Sequence, residues 1–151
     1  MVAADTAARS GDDEAFAEFQ GQLNLIFAKA RTLWKDSAMR IHPELAPVGY
    51  KLLTFVAHAG CANAHQIVEA FDMDKSAISR QVRMLEEFEL LESRPDEQDG
   101  RLRVLTPTPE ALEKLAELRR DNSHRMRGVL SELTQEEIRT ASKVIRLLAE
   151  A

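Results

Sequence analysis

Cysteine is almost absent: the 151 residues contain only Cys61, so no disulfide can close within one chain and stability has to come from packing. The lone thiol fits a reducing compartment. Long apolar runs are also missing, since nothing approaches the ~18 consecutive apolar residues that a membrane span needs. The first residues, Met1 to Glu14, are small and acidic, without the basic start and apolar stretch of a secretory signal. The expected location is therefore cytoplasmic, with no membrane partner. Internal repeats and low-complexity tracts are absent, as are a Gly-rich phosphate loop and a nucleophile elbow, so enzymatic activity is not expected. His42, His58, His65 and His124 show no paired ligand spacing, and neither a metal nor another cofactor is expected. Positive charge is in deficit too: 20 Lys and Arg face 25 Asp and Glu, a formal net charge of −5. A polyanionic partner is then credible only if the cations are gathered locally.

A chain of this length with 44% hydrophobic residues can bury one sizeable core. Residues 1–11 lack periodicity and read as a disordered tail. From Asp12, Phe16, Phe19, Leu23, Ile26, Phe27, Ala30, Leu33 and Trp34 recur at steps of three and four, which predicts a long amphipathic helix to about Met39. Pro43 and Pro47 bracket a connector before a second helix carrying Tyr50, Leu53, Phe55 and Val56. Asn63 is suited to cap a short third helix, and Asp74 a fourth from Lys75 to about Phe88. Leu90–Arg94 and Leu102–Thr106 read as two strands joined by the turn-rich segment Pro95 to Arg101. Thr108 and Pro109 open a fifth helix along Leu112, Leu115, Leu118, Met126, Val129 and Leu130. Thr134 and Glu137 form a capping box for a last helix, with Ile138, Ala141, Ile145 and Leu148 expected to face inward.

The fold class expected is mainly α with a small β-hairpin wing, a winged helix-turn-helix flanked by long helices. The divisions are a tail at 1–11, a helix and connector at 12–46, a reading module at 47–106 and C-terminal helices at 107–151. The outer helices are too apolar on one side to be covered by so small a centre, and a homodimer is the simplest remedy.

Within the fourth helix, residues turn by about 100° each, which places Ile78, Val82 and Leu85 within about 60° of one another. Ser76, Ser79, Arg80 and Arg83 fall in an opposed sector of roughly 100°. Hydroxyls and guanidinium groups suit a duplex groove, because Arg can grip guanine bidentately and Ser can reach phosphates. Alone, such a string is more often a solvated helix face. A short helix, a tight break and then this helix match the spacing of a helix-turn-helix, whose second helix enters the groove. The hairpin adds Arg94, Arg101 and Arg103, which could reach the minor groove or phosphates, with Asp99 near enough to orient Arg101.

The run from Phe71 to Glu87, followed by Leu90–Arg94 and by Asp96 through Pro107, resembles the multiple-antibiotic-resistance regulator (MarR) family of transcription regulators. The likeness extends along nearly the whole chain. It implies that Ser76, Ser79, Arg80 and Arg83 lie in the major groove of double-stranded DNA and that Arg101, oriented by Asp99, sits at the wing tip; Lys75, at the helix start, is a further candidate DNA contact. It also implies a homodimer on a near-palindromic operator, acting as a repressor. Asp72, Glu89 and Pro109 depart from the resemblance, standing where the family often has glycine. Acidic residues exceed basic ones even over 72–106, nine to six.

Members of that family often release DNA when a small aromatic or anionic effector enters between the dimer helices and the reading module. Phe27, Trp34, Met39, His42 and Phe55 are the candidate lining here, although residues of this kind are more often plain core. Cys61, just ahead of the third helix, raises the alternative of a redox-sensing regulator. The acidic balance raises another, a dimeric protein-interaction module with weak DNA affinity.

Overall fold

The computed structural model describes residues 2–151, with side chains from Gly11 onward. Six helices run α1 (Val2–Ile41), α2 (Pro47–Ala59), α3 (Ala64–Ala70), α4 (Lys75–Glu87), α5 (Pro109–Leu130) and α6 (Gln135–Glu150). Strands β1 (Ala62–Asn63), β2 (Leu91–Pro95) and β3 (Arg103–Pro107) form one antiparallel sheet in the order β1-β3-β2. Residues 2–11, expected as a disordered tail ahead of a helix from Asp12, lie within α1, with side chains described from Gly11 onward.

Local chemistry sets these boundaries. Pro47 and Pro109 occupy first helical positions, where the missing N–H costs nothing. The Asn63 side chain accepts the Gln66 N–H at 2.9 Å while Gln66 Oε1 accepts the Asn63 N–H at 2.9 Å, a reciprocal cap on α3. Thr134 and Glu137 do the same for α6. Gly60 ends α2 at φ 84°, a conformation glycine adopts without a Cβ clash. Gly49 lets α2 approach its neighbours, since a Cβ there would stand 2.7 Å from Leu45 Cδ1 and 3.3 Å from Gln81 Oε1.

The core lies in the middle of the chain. Leu52, Leu53 and Val56 of α2, Ile67 of α3, and Ile78 and Leu85 of α4 are fully buried. Leu90, Leu91, Leu105 and Ala62 close it from the sheet side. Only the C-terminal end of α1 (Ala38, Ile41) and the first half of α5 (Ala111, Leu115, Leu118) join this core. Two polar ties hold those helix ends together: Lys114 Nζ donates to the Ile41 carbonyl at 3.2 Å, and Arg40 pairs with Asp121.

Three sequence expectations need correction. The sheet has three strands, because Ala62–Asn63 pairs with β3 through Ala62↔Leu105 and Asn63↔Val104; two residues are too few to show a period. Both hairpin strands begin one residue later than expected. The last helix does not face inward within one chain: α6 buries nothing, and Ile145 is 67% exposed. The same holds for Phe16, Phe19, Ile26, Phe27, Leu33 and Trp34 of α1 and for Met126 and Val129 of α5. Amphipathic spacing shows that a face is apolar, but not that the same chain covers it.

Candidate nucleic-acid interface

Helix α4 presents the two faces its sequence implies. Asp74 Oδ1 accepts the Ala77 N–H at 2.8 Å and so fixes the helix start. Ile78 and Leu85 are buried and Val82 packs against the core, while Lys75, Ser76, Ser79, Arg80 and Arg83 are exposed. None of these five side chains makes a hydrogen bond or ion pair with another described residue. Glu86, Glu87 and Glu89 lie at the other end of the helix, while Asp72 and Asp74 stand at its start, Asp74 as its cap. Lys75, Arg80 and Arg83 are the cations of the exposed face between them.

The chain leaves α4 through Glu89, the single non-glycine residue at positive φ (56°) among those described. Asp72 and Pro109, the other residues standing where glycine was expected, have no such conformation. Thr108 holds the Glu89 turn. Its hydroxyl donates to the Glu89 carbonyl at 2.7 Å and accepts the Ala111 N–H at 3.2 Å, and its own N–H donates to the Leu90 carbonyl at 3.1 Å. One buried threonine thus joins the end of α4, the base of the wing and the start of α5.

On the hairpin, two of the three arginines are laid across the strands. Arg103 Nε donates to Ser93 Oγ at 2.8 Å and its Nη2 to the Ser93 carbonyl at 2.9 Å. Arg94 Nη2 reaches Thr106 Oγ1 at 3.4 Å. Arg101, at the tip, keeps its guanidinium exposed. The expected Asp99–Arg101 pairing takes another form: Asp99 Oδ1 accepts the Arg101 backbone N–H at 3.1 Å, so it shapes the turn and does not grip the guanidinium. Asp96, which the sequence reasoning missed, is the other turn-former, accepting the Gln98 and Asp99 N–H groups at 2.8 and 3.0 Å. Those two bonds, Asp99 first, hold its carboxyl below the usual range. Its signal was an Asp following Pro at the head of a turn.

Between α3, the start of α4 and the wing opens a cleft of roughly 340 Å³. It brings Lys75, Arg101 and Arg103 together and adds His65, Asn63, Val68 and Leu102, none of which had been singled out as contacts. The candidate effector residues are spread over several surroundings. Lys51 Nζ lies 3.9 Å from the Trp34 ring centre, and Phe55 meets Phe71 edge-on at 5.6 Å. His42 stacks on Phe88 at 3.9 Å, while Phe27 and Met39 are exposed on α1. Cys61 is exposed and precedes β1, so Asn63 and not the thiol stands at the start of α3. It faces a cleft shared with Arg94, Asp96 and Glu97. No three His, Cys, Asp or Glu side chains among the described residues are grouped to hold a metal ion, and no described helix is long and apolar enough to cross a membrane.

Residues 45–102 match the family model described as MarR family. No curated protein matches the chain in sequence. Among solved structures, the YusO protein from Bacillus subtilis is similar at 24% identity and TM-score 0.72, over 92% of this chain and 97% of that one. A putative MarR family transcriptional regulator from Listeria monocytogenes, complexed with 26mer DNA, is similar at 20% identity and TM-score 0.63, over 85% and 86% of the two chains. A mutant MarR from E. coli complexed with operator DNA is similar at 15% identity and TM-score 0.59, over 85% and 91%. The central segment 45–102 thus resembles the MarR family, and the helical frame around it shares the fold of these solved structures.

Proposed function

We propose that this protein is a homodimeric, sequence-specific DNA-binding repressor that sits on a near-palindromic operator and leaves it when a small aromatic or anionic molecule binds. The observation that carries the DNA reading is the exposed face of α4, where Lys75, Ser76, Ser79, Arg80 and Arg83 stand without protein partners beside the Arg101 wing tip. Arg80 and Arg83 supply base or phosphate contacts in the major groove, and Arg101 supplies the minor-groove contact. Arg94 and Arg103 stiffen the hairpin that carries Arg101. Asp96 and Asp99 shape its tip.

Two-fold pairing follows from the uncovered faces of α1, α5 and α6, which are too apolar to remain in water. For release, the cleft of about 200 Å³ between α2 and α5 is the place where a bound ring would push the reading module against the outer helices. Tyr50, Thr54, Leu115 and Arg119 are among its lining residues.

The test is a titration of promoter fragments flanking the encoding gene, followed against salt. Binding should weaken steeply as salt rises. Arg80→Ala should cost about 1–3 kcal/mol and relax sequence preference, whereas Arg101→Ala should weaken binding to all sequences more evenly. Absent or salt-independent binding would favour a protein-interaction role and sink the regulator reading.

A further inference from the structure

Neighbouring grooves of a duplex are separated by one sugar–phosphate backbone. A protein that puts α4 in one groove and its wing in the next therefore straddles that backbone, and the space between the two elements has to accommodate it. That space is the cleft bounded by α3, Lys75 and residues 101–103. Its chemistry is of two kinds. Lys75, Arg101 and Arg103 supply cationic donors and His65 an imidazole along its walls, while Ala64, Val68 and Leu102 supply apolar surface. Cations with apolar patches suit phosphates with deoxyribose between them. Leu102 is an apolar residue left 48% exposed between two arginines, a poor choice for a hairpin tip that meets only water.

We propose that this cleft seats one sugar–phosphate backbone, that His65 of α3 is a phosphate contact alongside Lys75 and Arg101, and that Glu69 restrains His65 in the absence of DNA. The proposal rests on the DNA-reading function above. His65 Nε2 lies 3.4 Å from Glu69 Oε1, one helical turn on, and both side chains are largely exposed. A phosphate entering the cleft competes with that carboxylate for the imidazole and is repelled by it. The other charged groups lining the cleft with His65 are Lys75, Arg101 and Arg103, while Asp72 and Asp74 lie in the α3–α4 turn, past the opposite end of α3. The Asp74 side chain accepts the Ala77 N–H. Arg103 is held by Ser93, which leaves His65, Lys75 and Arg101 as the groups free to follow the backbone.

Histidine ordinarily changes charge between about pH 5 and pH 8, so the contact carries a signature that Lys and Arg lack. A promoter duplex is titrated over a range of salt concentrations at about pH 6 and about pH 8 with the wild-type chain, His65→Ala, Glu69→Gln and Arg80→Ala. At the lower pH, His65→Ala should reduce the slope of log affinity against log salt by about one; at the higher pH its slope should equal the wild type's. Glu69→Gln should tighten binding about threefold at the lower pH, as expected for an exposed charge pair. Unchanged melting temperatures confirm that these exposed substitutions leave the fold intact. If His65→Ala keeps the wild-type slope at the lower pH, the proposal is overturned even though the wild type binds and Arg80→Ala binds more weakly. If the wild type itself shows no salt-dependent binding, the DNA-reading function fails first, and this contact with it.

Discussion

Glu89 is the residue at which the chain accepts strain. A side chain at φ 56° costs about 1–2 kcal/mol relative to the right-handed region, and the Thr108 hydroxyl on its carbonyl helps to hold it there. Glu89→Gly should therefore raise thermal stability by about 1 kcal/mol, measured by denaturant or thermal melting, and leave DNA affinity unchanged. A fall in melting temperature would mean that the glutamate side chain contributes more than its backbone costs. The departure from glycine at 89 was legible in the sequence, but whether the turn still needed a left-handed residue was not. Asp72 was an equal candidate and proved ordinary. Cys61 shows a similar gap: nearness in sequence to a helix suggested an activated thiol, yet a two-residue strand and Asn63 intervene.

Among the elements, the first turn of α6 and the wing tip depend on carboxylates as acceptors. The Asp96 carboxyl is held low by backbone N–H groups of Asp99 and Gln98, and that of Glu137 by the backbone and hydroxyl of Thr134. In both cases the folded state lowers the affinity for a proton. The associated stability is therefore present above the ordinary carboxylate values of 3.8 and 4.5 and is lost as pH falls through the lower folded ones. Acidification should loosen the 96–99 turn and the first turn of α6 before the core melts. Amide chemical shifts of Gln98, Asp99 and Thr134, whose N–H groups the two carboxylates accept, followed down a pH series would show it, and shifts that move only with global unfolding would contradict it. The α6 capping box was readable because both partners lie three residues apart. The Asp99–Arg101 interaction was assigned to the wrong donor, since spacing alone does not distinguish a guanidinium from the backbone N–H beside it.

For the whole molecule, apolar surface on α1, α5 and α6 exceeds what one chain covers. Ile145 on α6 and Phe16 on α1 are each about two-thirds exposed, so replacing either by Glu removes little from the fold of a single chain. Under the proposed pairing, Ile145→Glu should shift the protein from dimer to monomer in sedimentation equilibrium at micromolar concentration. It should also abolish tight operator binding, because a monomer spans only one half-site. Retention of helical circular dichroism would show that the chain still folds. A wild-type protein that sediments as a monomer would remove the basis for a two-fold operator.

Local order was determined by the sequence itself. Helix periods, caps at Asn63, Asp74, Thr108 and Thr134, prolines at 47 and 109 and the opposed faces of α4 all depend on residues within one or two turns of each other. For that reason the reading helix and the basic hairpin were legible, and with them the family resemblance. Other features required the tertiary structure because they join residues distant in the chain. They include the pairing of Ala62–Asn63 with β3, Thr108 bridging to Glu89, Arg103 tied down while Arg101 is not, and His65 beside the wing. A period reveals which face of an element is apolar or charged; only packing decides what that face meets, and here it leaves the faces of α1 and α6 uncovered within one chain.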